Sequence, residues 1–86
     1  MTAPVTRRPQ RARHAMPPFV RSALLDAGLT EAYRSRPPYQ RNDYLGWITR
    51  AKLEGTRQKR LAQMLDELRV GDRYMKMAWR PAERAP

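Results

Sequence analysis

Cysteine is absent from the 86 residues, and histidine occurs once, at His14. Without thiols there is no disulfide framework, no thiolate nucleophile and no thiolate metal site, and a single imidazole does not make a zinc cluster. Acid is scarce: 8 Asp and Glu stand against 18 Lys and Arg, a net charge of +10. The 4 glycines are scattered singly, so no glycine-rich loop is present to cradle a phosphate. Long apolar runs are missing as well. No stretch approaches the roughly 20 apolar residues of a membrane span. The start, "MTAPVTRRPQRARHAM", lacks the apolar run of about 7–15 residues that a secretory signal needs. A cytoplasmic protein without metal or cofactor is the expectation.

Catalysis is disfavoured on the same grounds. A nucleophile needs an oriented base beside it, and the only imidazole lies near the amino terminus. Asp66 and Glu67 are neighbours in sequence, so on a helix they point to different sides and do not form a facing acid–base pair. The chain reads as a non-enzyme.

What is present fits one small domain near the low end of sizes that fold alone. Residues 1–16 are arginine-rich and proline-interrupted, which predicts a disordered basic arm serving solubility or non-specific contact with nucleic acid. Residues 17–80 form the domain, and residues 81–86 a loose tail. Within the domain, residues 17–71 are expected to be helical in three or four pieces, an all-α bundle. Pro17 and Pro18 suit a first turn, Phe19, Ala23, Leu24 and Ala27 share a face, and Gly28 offers a stop. Thr30 is the expected cap of a short helix anchored by Tyr33.

The main helix is predicted from about Pro38 to Leu53. Tyr44, Ile48 and Ala51 point inward, flanked by Leu45 and Trp47, while Asn42, Asp43, Gly46, Thr49 and Arg50 face water. Gly46 weakens that helix by about 1 kcal/mol relative to alanine, and only close approach by a neighbouring element would account for it. Gly55 is read as the turn and Thr56 as the next cap. The following helix carries Leu61, Met64, Leu65 and Leu68 at helical spacing and stops at Gly71. Two such helices joined by a short linker pack as an antiparallel hairpin, with Leu24, Ile48, Leu61, Leu65 and Leu68 in one core. Met75, Met77 and Trp79 alternate with Lys76 and Ala78, which predicts an extended segment docked on the bundle without pairing. Flexible methionines beside tryptophan also suit a partner groove.

One cluster stands out. Arg57, Lys59 and Arg60 fall in the first turn of the last helix on this reading, where the helix dipole disfavours cations by about 0.3–1 kcal/mol each. With Arg50 and Lys52 across the bend they compose a candidate site for an anion or an acidic partner. Ordinary solvated charge on a basic protein is the plainer account of the same residues.

The stretch "MPPFVRSALL", then "YLGWITRAKLEGTRQKRL" and onward to "GDRYMKM", resembles the YdeI/OmpD-associated (OmdA-type) bacteriocin-protection family. The resemblance rests on Tyr44, Leu45, Trp47, Ile48, Ala51 and Lys52, then Glu54, Thr56, Arg57, Arg60 and Leu61, and covers about residues 16–77. It implies a helical module linked to stress response or to protection against cationic antimicrobial peptides and bacteriocins, with no catalytic residues to carry over. In many relatives this segment follows a β-rich domain, and the family has been described as periplasmic. Function on this basis is an interaction module working through a protein partner. The alternative is a basic nucleic-acid-associated protein touching phosphates through the arm and the Arg57–Arg60 cluster.

Overall fold

In a computed structural model, residues 13–80 are described. Four helices and one small hairpin follow in order: α1 (Pro18–Ala27), α2 (Thr30–Arg34), α3 (Pro38–Thr49), α4 (Glu54–Val70), β1 (Arg73–Tyr74) and β2 (Met77–Ala78). The fold is all-α in substance, as the sequence predicts.

α1 begins where its prolines direct it. Pro17 occupies the extended cap position, Pro18 opens the helix, and Gly28 closes it with φ 69°, its N–H reaching back to the last carbonyls. Val20 and Leu24 are buried, while Phe19, Ala23 and Ala27 pack at the edge of the core. α2 starts one residue earlier than expected. Leu29, buried after the Gly28 turn, holds the cap position, and Thr30 is already helical. The Thr30 hydroxyl therefore caps nothing and is buried without a partner. Tyr33 is the inward anchor, as its spacing predicts.

The bend between α3 and α4 differs from the sequence reading in a way that matters later. α3 ends at Thr49, whose hydroxyl bonds back to the Leu45 carbonyl at 2.8 Å. Leu53 is extended (φ −98°, ψ 142°), and α4 begins at Glu54. The turn is thus residues 50–53, not Gly55, and Thr56 is no cap. The cause is local electrostatics. Glu54 in the first turn complements the helix dipole and also engages Arg57 one turn on at 3.0 Å and Gln58 at 2.8 Å.

α3 and α4 pack against each other in antiparallel order, since Trp47 lies against Arg60 while Tyr44, a turn earlier, meets Glu67 later in α4. The core consists of Val20, Leu24, Leu29, Tyr33, Tyr44, Leu45, Ile48, Leu61, Met64 and Leu68. Leu65 packs on it only partly. Gly46, expected to face water, is buried, for a reason given below.

Two further corrections concern the ends. Residues 1–12 and 81–86 lie outside the described residues. Residues 13–16, assigned to the arm, take part in the packing: the His14 backbone N–H donates to Asn42 Oδ1 at 2.8 Å, and Met16 rests on the core. The methionine segment does pair, with itself. β1 and β2 are antiparallel, Arg73 opposite Ala78 and Tyr74 opposite Met77. Met75 and Lys76 at the turn both have positive φ, 51° and 67°, the handedness that suits a two-residue hairpin.

Candidate functional site

The five cations singled out from the sequence do not converge at a helix N-terminus. Because α4 starts at Glu54, Arg57 sits at the end of its first turn and Lys59 and Arg60 lie further in. Arg57 pairs with Glu54 and lies over the Phe19 ring at 5.7 Å. Arg60 donates to the Trp47 carbonyl at 2.7 Å and covers the Trp47 ring at 5.4 Å. That carbonyl belongs to the last turn of α3, which has no helical partner for it, so Arg60 is a clamp across the bend. Lys52 and Lys59 are exposed. Arg50 lines a cleft beside α3.

Three polar residues that sequence reasoning passed over organise the opposite side. Glu67 is 6% exposed and Arg36 4%, with Gln40 fully buried. Glu67 Oε1 accepts from the Tyr44 hydroxyl at 2.5 Å and the Met75 N–H at 2.9 Å. Its Oε2 accepts from the Lys76 N–H at 2.7 Å and Gln63 Nε2 at 3.1 Å. A buried carboxylate is tolerated when donors fill its lone pairs. Burial, and then the bond to Glu67, push the Tyr44 phenol well above its ordinary pKa. Burial also raises Tyr33, against the opposing charge of Arg41.

Arg36 supports the same hairpin from behind. It donates to the Arg73 carbonyl at 2.8 Å, the Glu67 carbonyl at 3.0 Å and Gln40 Oε1 at 3.0 Å, and stacks under Trp79 at 4.4 Å. The Tyr74 hydroxyl donates to Asp43 Oδ2 at 2.6 Å, and its ring meets Tyr44 and Tyr39 edge-on. The hairpin is therefore fixed at one edge of α3 by side chains from α2–α3, α3 and α4. The sequence carries one clue to Glu67: it falls on the apolar stripe beside Met64 and Leu68, where a carboxylate needs a partner.

Two clefts flank the α3 surface. One, of about 670 Å³, is lined by Asn42, Asp43, Gly46 and Trp47 of α3, by Arg50 just after it, and by Tyr74, Met75 and Met77 of the hairpin. The other, of about 540 Å³, is lined by Arg13, Tyr33, Pro38, Tyr39, Arg41 and Leu45. His14 and Asn42 border both, so the N-terminal segment forms the rib between them. Gly46 makes the rib possible. A Cβ there would stand 2.6 Å from His14 Nε2, 2.9 Å from its Cδ2 and 3.2 Å from Arg50 Nη1. Close approach by a neighbouring element is what the glycine serves, and the element is the segment read as an arm.

Among the described residues no cluster of His, Cys, Asp and Glu is arranged to hold a metal ion, and no helix is long and apolar enough to cross a membrane. What the clefts offer is an apolar floor of tryptophan, tyrosine and methionine with arginines at the rim. Such a surface can take an apolar side chain and a neighbouring anion.

Residues 14–71 match the family model described as OmdA, bacteriocin-protection, YdeI or OmpD-associated. The match begins at His14, the residue seated on Gly46, and ends at Gly71, just before the hairpin. No curated protein and no solved structure matches the chain.

Proposed function

Since the chain belongs to the OmdA (YdeI/OmpD-associated) bacteriocin-protection family, we propose that it is a non-enzymatic interaction module. It acts through a protein partner in protection against cationic antimicrobial peptides or bacteriocins. The observation that carries this reading is the division of labour between family residues and cleft residues. Tyr44, Ile48, Ala51, Arg57, Arg60 and Leu61 are spent on the core and on the α3–α4 bend. The open surface is furnished instead by the hairpin methionines, Arg50 and one edge of Trp47. A cleft with a soft, adaptable floor suits a protein segment.

The protein partner is favoured over the nucleic-acid alternative by the state of the Arg57–Arg60 cluster, the part of that alternative that lies within the described residues. Arg57 and Arg60 are engaged inside the fold, and the Trp47 ring that a base would stack on is covered by a guanidinium. A survival assay tests the proposal. Cells lacking the chain are challenged with a cationic antimicrobial peptide after complementation with the wild type or with Met77→Glu. Met77 is 57% exposed, so the variant should fold. Rescue by the wild type and not by Met77→Glu is expected. Equal survival of all three strains, with the proteins expressed, overturns the protective role.

A further inference from the structure

The charges around the two clefts are one-sided. Arg13 and Arg41 line the smaller cleft and Arg50 the larger, with the His14 rib between them. Among the described residues the one carboxylate at either wall is Asp43, whose Oδ2 accepts from the Tyr74 hydroxyl. Beside this basic rim lies the exposed Met77, with Met75 and the Trp47 edge. Arg50 and His14 both pack on the bare backbone of Gly46, which brings the rim cation and the rib together where the clefts meet.

Taking the chain as a protein-binding module, we infer that its partner presents an acidic, amphipathic segment that lies across the His14 rib. Its apolar side chains enter the Trp47–Met75–Met77 cleft, and its carboxylates meet Arg50 and, across the rib, Arg13 and Arg41. Charge complementarity selects this occupant over a neutral one, because three arginines against one carboxylate among the described lining residues favour a negative partner and speed its approach. The methionine and tryptophan floor selects a protein segment over a phosphate polymer. Phosphates would use the rim and leave the floor empty.

Titrations followed by proton–nitrogen correlation spectra test this at about 150 mM salt, where diffuse attraction is largely screened. The probes are a synthetic peptide with glutamates on one helical face and leucines on the other, the same peptide with glutamines for glutamates, and a single-stranded oligonucleotide. The acidic peptide should shift the amides of Asn42, Gly46, Arg50, Met75 and Met77. Arg50→Gln and Met77→Glu should each weaken it about tenfold, while Arg69→Gln, in the last turn of α4, leaves it unchanged. Denaturation curves for each variant establish that it is folded. Equal binding of the glutamine peptide, equal loss from Arg50→Gln and Arg69→Gln, or tighter binding of the oligonucleotide overturns the inference. If the peptide fails while Met77→Glu still abolishes survival, the module reading stands and the acidic partner falls.

Discussion

Replacing Glu67 with glutamine probes the part of the structure least visible from sequence. The change keeps shape and removes one acceptor oxygen. Four donors converge on the carboxylate: the Tyr44 hydroxyl and Met75 N–H on Oε1, the Lys76 N–H and Gln63 on Oε2. An amide nitrogen placed on the Oε1 side lets Tyr44 turn and accept, but leaves the Met75 N–H facing a donor. Placed on the Oε2 side it lets Gln63 flip, but leaves the Lys76 N–H facing a donor. One backbone donor is orphaned either way, at about 1–3 kcal/mol, and the surviving bonds lose their charged acceptor. The turn residues also sit in the left-handed region at φ 51° and 67°, which for residues other than glycine costs about 1–2 kcal/mol each. With less to hold it, the turn should open. We expect a loss of about 2–3 kcal/mol, a fall in Tm of roughly 10–20 °C in a domain of this size. Amide exchange at Met75 and Lys76 should quicken beyond the global change. A variant melting within about 2 °C of wild type, with those two amides still protected, would refute the reasoning.

Three other outcomes are expected. The Tyr44 phenol is held protonated by burial and by Glu67, and Tyr33 by burial. The unfolded chain therefore releases protons above about pH 10 that the folded chain keeps. Stability should be full below that pH and fall above it, and absorbance titration should show two of the 4 tyrosines ionising only on unfolding. Gly46→Ala should bring no gain in wild type, since the methyl meets His14 at 2.6 Å; in a His14→Ala background the helix preference of about 1 kcal/mol should appear in urea denaturation. Arg60→Gln should cost about 1–2 kcal/mol by removing the Trp47 carbonyl bond and the ring contact, whereas a purely solvated arginine would be silent in the same melt.

The helices were legible because their signals are local. Pro17–Pro18 and Gly28 frame α1, and Leu61, Met64 and Leu68 repeat at the spacing that buries them. The bend was misplaced because Gly55 and Thr56 look like a turn and a cap, while Glu54 offers a competing start through its pairs with Arg57 and Gln58. That shift of three residues carries Lys59 and Arg60 away from the helix start, while Arg50 lines the larger cleft. The hairpin was missed for a different reason. Met75–Lys76 has none of the asparagine or glycine that marks such a turn, and its left-handed backbone is held by Glu67 from another element. Long-range polar contacts of this kind, with His14 on Gly46 another, leave no periodic trace.

The claim that the α3–hairpin face is where the partner docks is tested most directly by photocrosslinking in the native cell. A photoreactive residue is placed at position 77 on the hairpin or at position 25 on α1, both exposed in the free protein. The account predicts a discrete protein adduct from position 77 that survives nuclease, is absent from position 25 and is lost with Arg50→Gln. Equal adducts from both positions, or an adduct at position 77 that nuclease removes, would contradict it.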